Sequence, residues 1–210
     1  MTNKDYTALM FIMDRSGSMN SIRSSVEQGM RDIVEGLKGQ PGKVTVDLVS
    51  FDTEITHTDK FVPLDKFQFI LSPRGGTALY DAIVTGASEM RKQIEALPAD
   101  ARPEHVQIVV VTDGEENSSQ FADAVLVQDT VQWSTENLGF DFTFLGANQD
   151  AVVTGAALGF EGKKSQTFAA TTDGVAGVSS SLADYINQTR RGEDASYSDA
   201  HRAASVGARR

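Results

Sequence analysis

The sequence contains no cysteine, which excludes a disulfide framework and any thiolate-held metal and suits a reducing compartment. It also lacks any apolar run approaching the ~20 residues that a helix needs to cross a bilayer. Its start, Met1-Thr2-Asn3-Lys4-Asp5, is polar and acidic where a signal peptide would be basic and then apolar. These absences predict a cytoplasmic protein with no membrane segment. Positive charge is scarce as well: 19 Lys and Arg stand against 29 Asp and Glu, a formal net charge of −10. Nucleic acids and anionic lipid surfaces would be repelled, and cations or basic surfaces favoured. The few histidines, His57, His105 and His201, share no ligand spacing and read as structural or incidental, and the single tryptophan, Trp133, reads as core or packing and not as a ligand platform.

The 210 residues, 40% of them hydrophobic, make one domain with ample core and leave too little for a second. Thr7–Met13 is almost continuously apolar, as a strand covered on both faces of a parallel sheet must be. Ile22, Val26, Met30, Ile33, Val34 and Leu37 then recur at helical spacing, predicting a helix over Ser21–Leu37 that stops at Gly39-Gln40-Pro41-Gly42. Further strands are predicted at Val44–Phe51, Val106–Thr112 and Phe140–Leu145, with Ile55–Val62 returning antiparallel at an edge after the turn Asp52–Glu54. Helices are expected at Ala78–Leu97, Phe121–Leu138, Asp150–Leu158 and Asp173–Thr189, and a short last strand at Thr167–Ala169.

This alternation predicts an α/β fold: a doubly wound, mostly parallel sheet with one antiparallel edge strand and helices on both faces. The domain spans residues 1–189. Residues 190–210 carry five arginines against three acids without apolar periodicity, and read as a flexible, mildly basic tail.

Ligands of such sheets bind at the carboxyl ends of the strands. The first strand ends in Asp14-Arg15-Ser16-Gly17-Ser18, where an aspartate and two hydroxyls at alternate positions put three hard oxygen donors on one loop. That donor set is the one Mg²⁺ or Mn²⁺ prefers. Gly75-Gly76-Thr77 precedes the middle helix, and Asp113-Gly114 ends the strongest buried strand. Asp14, Ser18 and Asp113 taken singly also read as helix caps and turn residues.

Together the three loops resemble the metal-ion-dependent adhesion site of the von Willebrand factor A family, whose pattern is Asp-x-Ser-x-Ser, then a lone threonine, then an aspartate before glycine. The resemblance covers roughly residues 5 to 190 and points to stand-alone bacterial or phage-type members. It implies Ser16, Ser18 and Thr77 as direct or switchable metal ligands, with Asp14 and Asp113 as carboxylates acting directly or through water. It also implies a non-enzymatic protein-interaction module in which a partner's Asp or Glu completes the shell of the metal.

Around these loops, Arg15 and Met19 are expected on the rim. Asn148, Gln149 and Asp150 are either rim or cap, Glu115 and Glu116 a solvated first helical turn, and Asn117, Ser118 and Ser119 caps. Two alternatives stand beside the interaction module. A metal-dependent phosphohydrolase would use Asp14 as nucleophile, but its usual second aspartate two residues on is Ser16 here, and no lysine stands in a matching loop. A structural subunit would act through the arginines of the tail.

Overall fold

The computed structural model describes residues 3–207. Its central element is a six-stranded sheet in the order β3-β2-β1-β4-β5-β6, built from β1 (Asn3–Asp14), β2 (Lys43–Phe51), β3 (Ile55–Pro63), β4 (Pro103–Thr112), β5 (Phe140–Ala147) and β6 (Ser165–Phe168). All neighbours run parallel except β2 and β3. The helices are α1 (Arg23–Lys38), α2 (Leu79–Ala96), α3 (Ala124–Leu138), α4 (Ala151–Ala157), α5 (Thr172–Arg190) and α6 (Asp199–Val206). The expected α/β architecture, with its single antiparallel edge, is the one observed.

The strand β1 shows why its sequence is continuously apolar. Leu9, Phe11 and Met13 face one core with Val26, Met30 and Ile33 of α1 and Val178 and Leu182 of α5. Ala8, Met10 and Ile12 face the other with Ala82, Ile83 and Met90 of α2 and Val127 and Val131 of α3. Successive side chains of a strand point to opposite faces, so a strand with helices on both sides has no solvent-facing position to fill with a polar residue. The crossovers from β1 through α1 to β2, and from β3 through α2 to β4, put Asp14, Phe51 and Thr112 at one edge of the sheet. Asp14 lies opposite Phe51 in the register, and Met13 opposite Val111.

Two expectations, for Met19 and the tail, need correction, and the one for Trp133 narrows to packing. Met19 is fully buried in the core with α1, because residues 17–22 form a 3-10 turn that folds it inward. Trp133 is 44% exposed on α3, its ring under the Arg91 guanidinium of α2 at 4.8 Å, so it covers the surface between two helices instead of filling the core. The described part of the expected flexible tail is folded: α6 packs against α5, and Ala195, Tyr197 and Ser205 are buried. Residues 208–210 lie outside the described residues. Pattern reading missed this segment because backbone contact and hydrogen bonds, more than apolar periodicity, hold it.

Candidate metal centre

Asp14 is the last residue of β1 and is wholly buried. Its Oδ1 accepts from Ser16 N (2.6 Å) and its Oδ2 from Thr112 Oγ1 (2.6 Å). Burial nevertheless dominates these bonds and, with the nearby Asp113 charge adding to it, pushes the Asp14 carboxyl up to about 6. Asp113, half-buried just beyond β4, is likewise raised by burial although Ser18 Oγ donates to its Oδ1 at 2.7 Å. Ser16 Oγ and Ser18 Oγ lie 3.0 Å apart. Thr77 joins them across Gly114: a Cβ placed on that glycine would lie 3.0 Å from Thr77 Oγ1 and 3.8 Å from Asp14 Oδ2. The structure therefore brings all five predicted residues, Asp14, Ser16, Ser18, Thr77 and Asp113, to one place.

Among the described residues, no three His, Cys, Asp or Glu side chains gather to hold a metal ion. This edge offers two carboxylates and three hydroxyls. Among the described residues, neither Asp14 nor Asp113 forms an ion pair with a basic side chain. Two desolvated carboxylates beside neutral hydroxyls, with no counter-charge of their own, form a donor set that fits a hard divalent cation.

A third strand-end aspartate, Asp52 after β2, has the opposite surroundings. Its carboxylate meets Arg15 Nε and Arg74 Nε, each at 2.8 Å, and accepts from Glu54 N at 2.7 Å. Burial would raise it, but Arg74, the Glu54 amide and Arg15 outweigh burial and hold it below the usual carboxylate range. The Asp52 carbonyl accepts from Ala78 N (2.8 Å), while Arg74 N donates to Arg15 O (2.7 Å) and Gly17 N to Gly75 O (3.2 Å). Asp52 thereby laces the Asp14–Ser18 loop to the loop carrying Thr77. The sequence shows this residue only as part of a turn, although an aspartate at a strand's end was the available signal.

The second missed feature is a reciprocal clamp between the β4–α3 loop and α2. Ala78, the N-cap of α2, offers no side-chain acceptor, so the loop satisfies the first amides of the helix. Glu116 Oε2 accepts from Tyr80 N (2.9 Å), Ser119 Oγ from Asp81 N (3.0 Å), and Asn117 Oδ1 from Thr77 N (2.9 Å). In return the buried Asp81 accepts from the amides of Gln120, Phe121 and Ala122. Glu116 and its neighbours thus cap α2 across some forty residues. They do not start α3, which begins only at Ala124 with Asp123 as its cap. Glu116→Ala would leave the amides of Tyr80 and Ser119 without their acceptor and Ser118 N with only its longer bond to Thr77 O (3.2 Å). The expected cost is about 2–4 kcal/mol by urea unfolding, with Glu116→Gln intermediate.

The rest of the expected rim divides. Arg15 is at the edge but engaged with Asp52 and with Thr56 Oγ1 (3.0 Å). Asn148 adopts a left-handed φ of 54° and turns its Oδ1 to Ala170 N (3.0 Å), bracing β5 to the segment after β6. Asp150 caps α4 by accepting from Val153 N.

The family model described as "von Willebrand factor type A domain" matches residues 8–174. No curated protein sequence matches the chain. Similar solved structures include proximal thread matrix protein 1 from the mussel byssus, with 15% identity and a TM-score of 0.61 over 87% of this chain and 47% of that one. The vWF domain of the type V pili tip protein Mfa5 from Porphyromonas gingivalis shows 12% identity and a TM-score of 0.59, with 87% and 95% covered. The pilus adhesin SpaC from Lactobacillus rhamnosus GG, in its open conformation, shows 13% identity and a TM-score of 0.63, with 88% and 30% covered. The chain thus spans about half the length of the mussel protein and nearly all of the Mfa5 domain.

Proposed function

The chain belongs to the von Willebrand factor type A domain family, and from that premise we propose that it is a divalent-metal-dependent protein-interaction module. The metal site would be a metal-ion-dependent adhesion site formed by Asp14, Ser16, Ser18, Thr77 and Asp113, holding Mg²⁺ or Mn²⁺. The bound ion would supply a Lewis-acidic position for a partner's carboxylate. The residues of the chain have separate tasks. Asp14 and Asp113 would provide the negative charge, and Ser16, Ser18 and Thr77 neutral oxygens. Asp52 with Arg15 and Arg74 fixes the loops, and the Glu116–Asp81 clamp fixes Thr77 against Gly114. Because most donors are neutral, charge demand is left over for the Asp or Glu of a protein partner.

One observation carries this reading: of three strand-end carboxylates, two buried and one half-buried, Asp14 and Asp113 share an edge with hydroxyls and have no basic partner among the described residues, while Asp52 has two arginines. The stretches 14–18, 75–77 and 113–114 hold no histidine or lysine, and the carboxylates and hydroxyls they do hold are all taken as metal donors in this reading, which supports recruitment over turnover. The pilus adhesin and pilus tip domain among the similar structures share the fold at low identity and give the reading context only. The test is isothermal titration of the protein with MnCl₂ and MgCl₂, followed by partner capture in Mn²⁺ with and without EDTA. One saturable site, and capture that EDTA reverses, are the expected results. Absence of metal heat, or capture indifferent to EDTA and to Asp113→Ala, would overturn the proposal.

A further inference from the structure

A sheet with two edges must keep both from pairing with other chains, and this one treats them differently. The edge strand β3 is protected by its own sequence. It carries His57, Asp59 and Lys60, ends at Pro63, slips register against β2, and holds Phe61 at a φ of 48°. The edge strand β6, Ser165-Gln166-Thr167-Phe168, has no charge, no proline and no bulge. It is four uncharged residues on a protein of net charge −10.

What covers it is the segment after α5. In a strand, alternate residues point their backbone groups to the same side. Phe168 O faces β5, where it accepts from Asn148 N, so Ser165, Thr167 and Ala169 face outward. Arg202 donates to Ser165 O (2.7 Å) and Gly162 O (3.0 Å), and Ser205 O accepts from Ala169 N (2.8 Å). Gln166 reaches His201 O with its side-chain amide. A guanidinium and a helix-end carbonyl stand where a neighbouring strand would be.

The seat for this segment is cut into α5. A Cβ on Gly177 would overlap Ala204 O and come within 3.0 Å of Ser205 Cα, so the atoms nearest to that position all belong to this segment. Upstream, Tyr197 stacks on Tyr185 at 5.0 Å. Beyond Tyr197 little apolar surface holds the segment: Ser205 is the buried residue of α6, and Val206 is half exposed. An eight-residue helix, even with its Ser198–His201 capping box, has little stability of its own, so its docking is a low-energy contact. The family match ends at residue 174, before this segment begins.

We propose that residues 198–207 are a releasable strap, latched on the glycine notch of α5, whose release lets β6 pair with the same edge of a second copy. The second copy is the occupant that the strand itself specifies. The edge is uncharged while the rest of the surface repels its own kind, and two such edges are self-complementary across a two-fold axis.

The test uses the full chain. Hydrogen exchange followed by mass spectrometry should show 199–206 exchanging at least about tenfold faster than β1 and β4 in the wild type. Gly177→Ala favours helix at α5 yet should remove the remaining protection of the strap while β1, β4 and α5 keep theirs. Sedimentation should show wild-type monomer and a concentration-dependent Gly177→Ala dimer. Arg202→Ser, which releases the two carbonyls without touching α5, should act in the same direction and serves if the glycine variant does not fold. Strap exchange at the core rate, unchanged protection in both variants, or a released strap on a strict monomer would overturn the proposal.

Discussion

Asp14→Asn is expected to make the metal-free protein more stable and, at the same time, to abolish its response to Mg²⁺. The carboxyl of Asp14 is fully buried and raised to about 6, chiefly by burial. Holding it ionised at neutral pH therefore costs on the order of 2–3 kcal/mol relative to an unperturbed aspartate. The amide removes that charge and keeps the hydrogen bonds: its oxygen can still accept from Ser16 N. Its Nδ2–H can donate to Thr112 Oγ1, whose proton then turns to Gly114 O, already at 3.2 Å. A gain of about 1–3 kcal/mol, or roughly 2–12 °C in Tm for a chain of this size, follows. Metal at a hundredfold excess over its Kd should stabilise the wild type by about 2.7 kcal/mol and the variant not at all. Differential scanning calorimetry with and without 10 mM MgCl₂ checks both signs. A capping role for Asp14 predicts the reverse in metal-free buffer, because a cap residue stabilises the helix end it serves.

The fold was largely legible in the sequence because its signals are periodic and local. Thr7–Met13 and Val106–Thr112 announce buried parallel strands by having no polar alternation. The β1 loop, Thr77 and Asp113 converge because strand order alone puts them at one edge. What stayed illegible is held by hydrogen bonds between residues far apart in the chain. Glu116 reads as a helix-start acid from its neighbours, and only the bare Ala78 cap of α2, 38 residues earlier, explains where its oxygens go. Met19 reads as rim because it flanks Ser18, but a 3-10 turn carries it inward. The strap lacks apolar periodicity since its seat is the backbone of α5 at Gly177, a contact made by a missing side chain.

Asp52→Ala should behave oppositely to Asp14→Asn, and the contrast discriminates the roles of two aspartates that look alike in the sequence. Removing the Asp52 carboxylate leaves Arg15, whose side chain is only 14% exposed, with a buried and uncompensated charge. The expected loss is about 3–5 kcal/mol in metal-free unfolding. Arg74 is more than half exposed and paired with Glu54 as well, so its share of that loss is small. The pH dependence carries the same sign. Asp52 is held below the ordinary carboxylate range, so its contribution is fully present above the unfolded pKa of about 4 and is lost as pH falls through the lower folded value. Urea midpoints of wild type and Asp52→Ala should therefore differ at pH 7 and converge in acid. Metal affinity should fall too, although every proposed donor is still present and the Asp52 carbonyl keeps its bond from Ala78 N, because the carboxylate's ties to Arg15 and Arg74 help hold the two donor loops together. If Asp52→Ala were as stable as wild type at pH 7, the arginine-paired carboxylate could not be the fixed point of the site. The distinction between a charge neutralised within the chain and a charge left for a cation would then lose its physical basis.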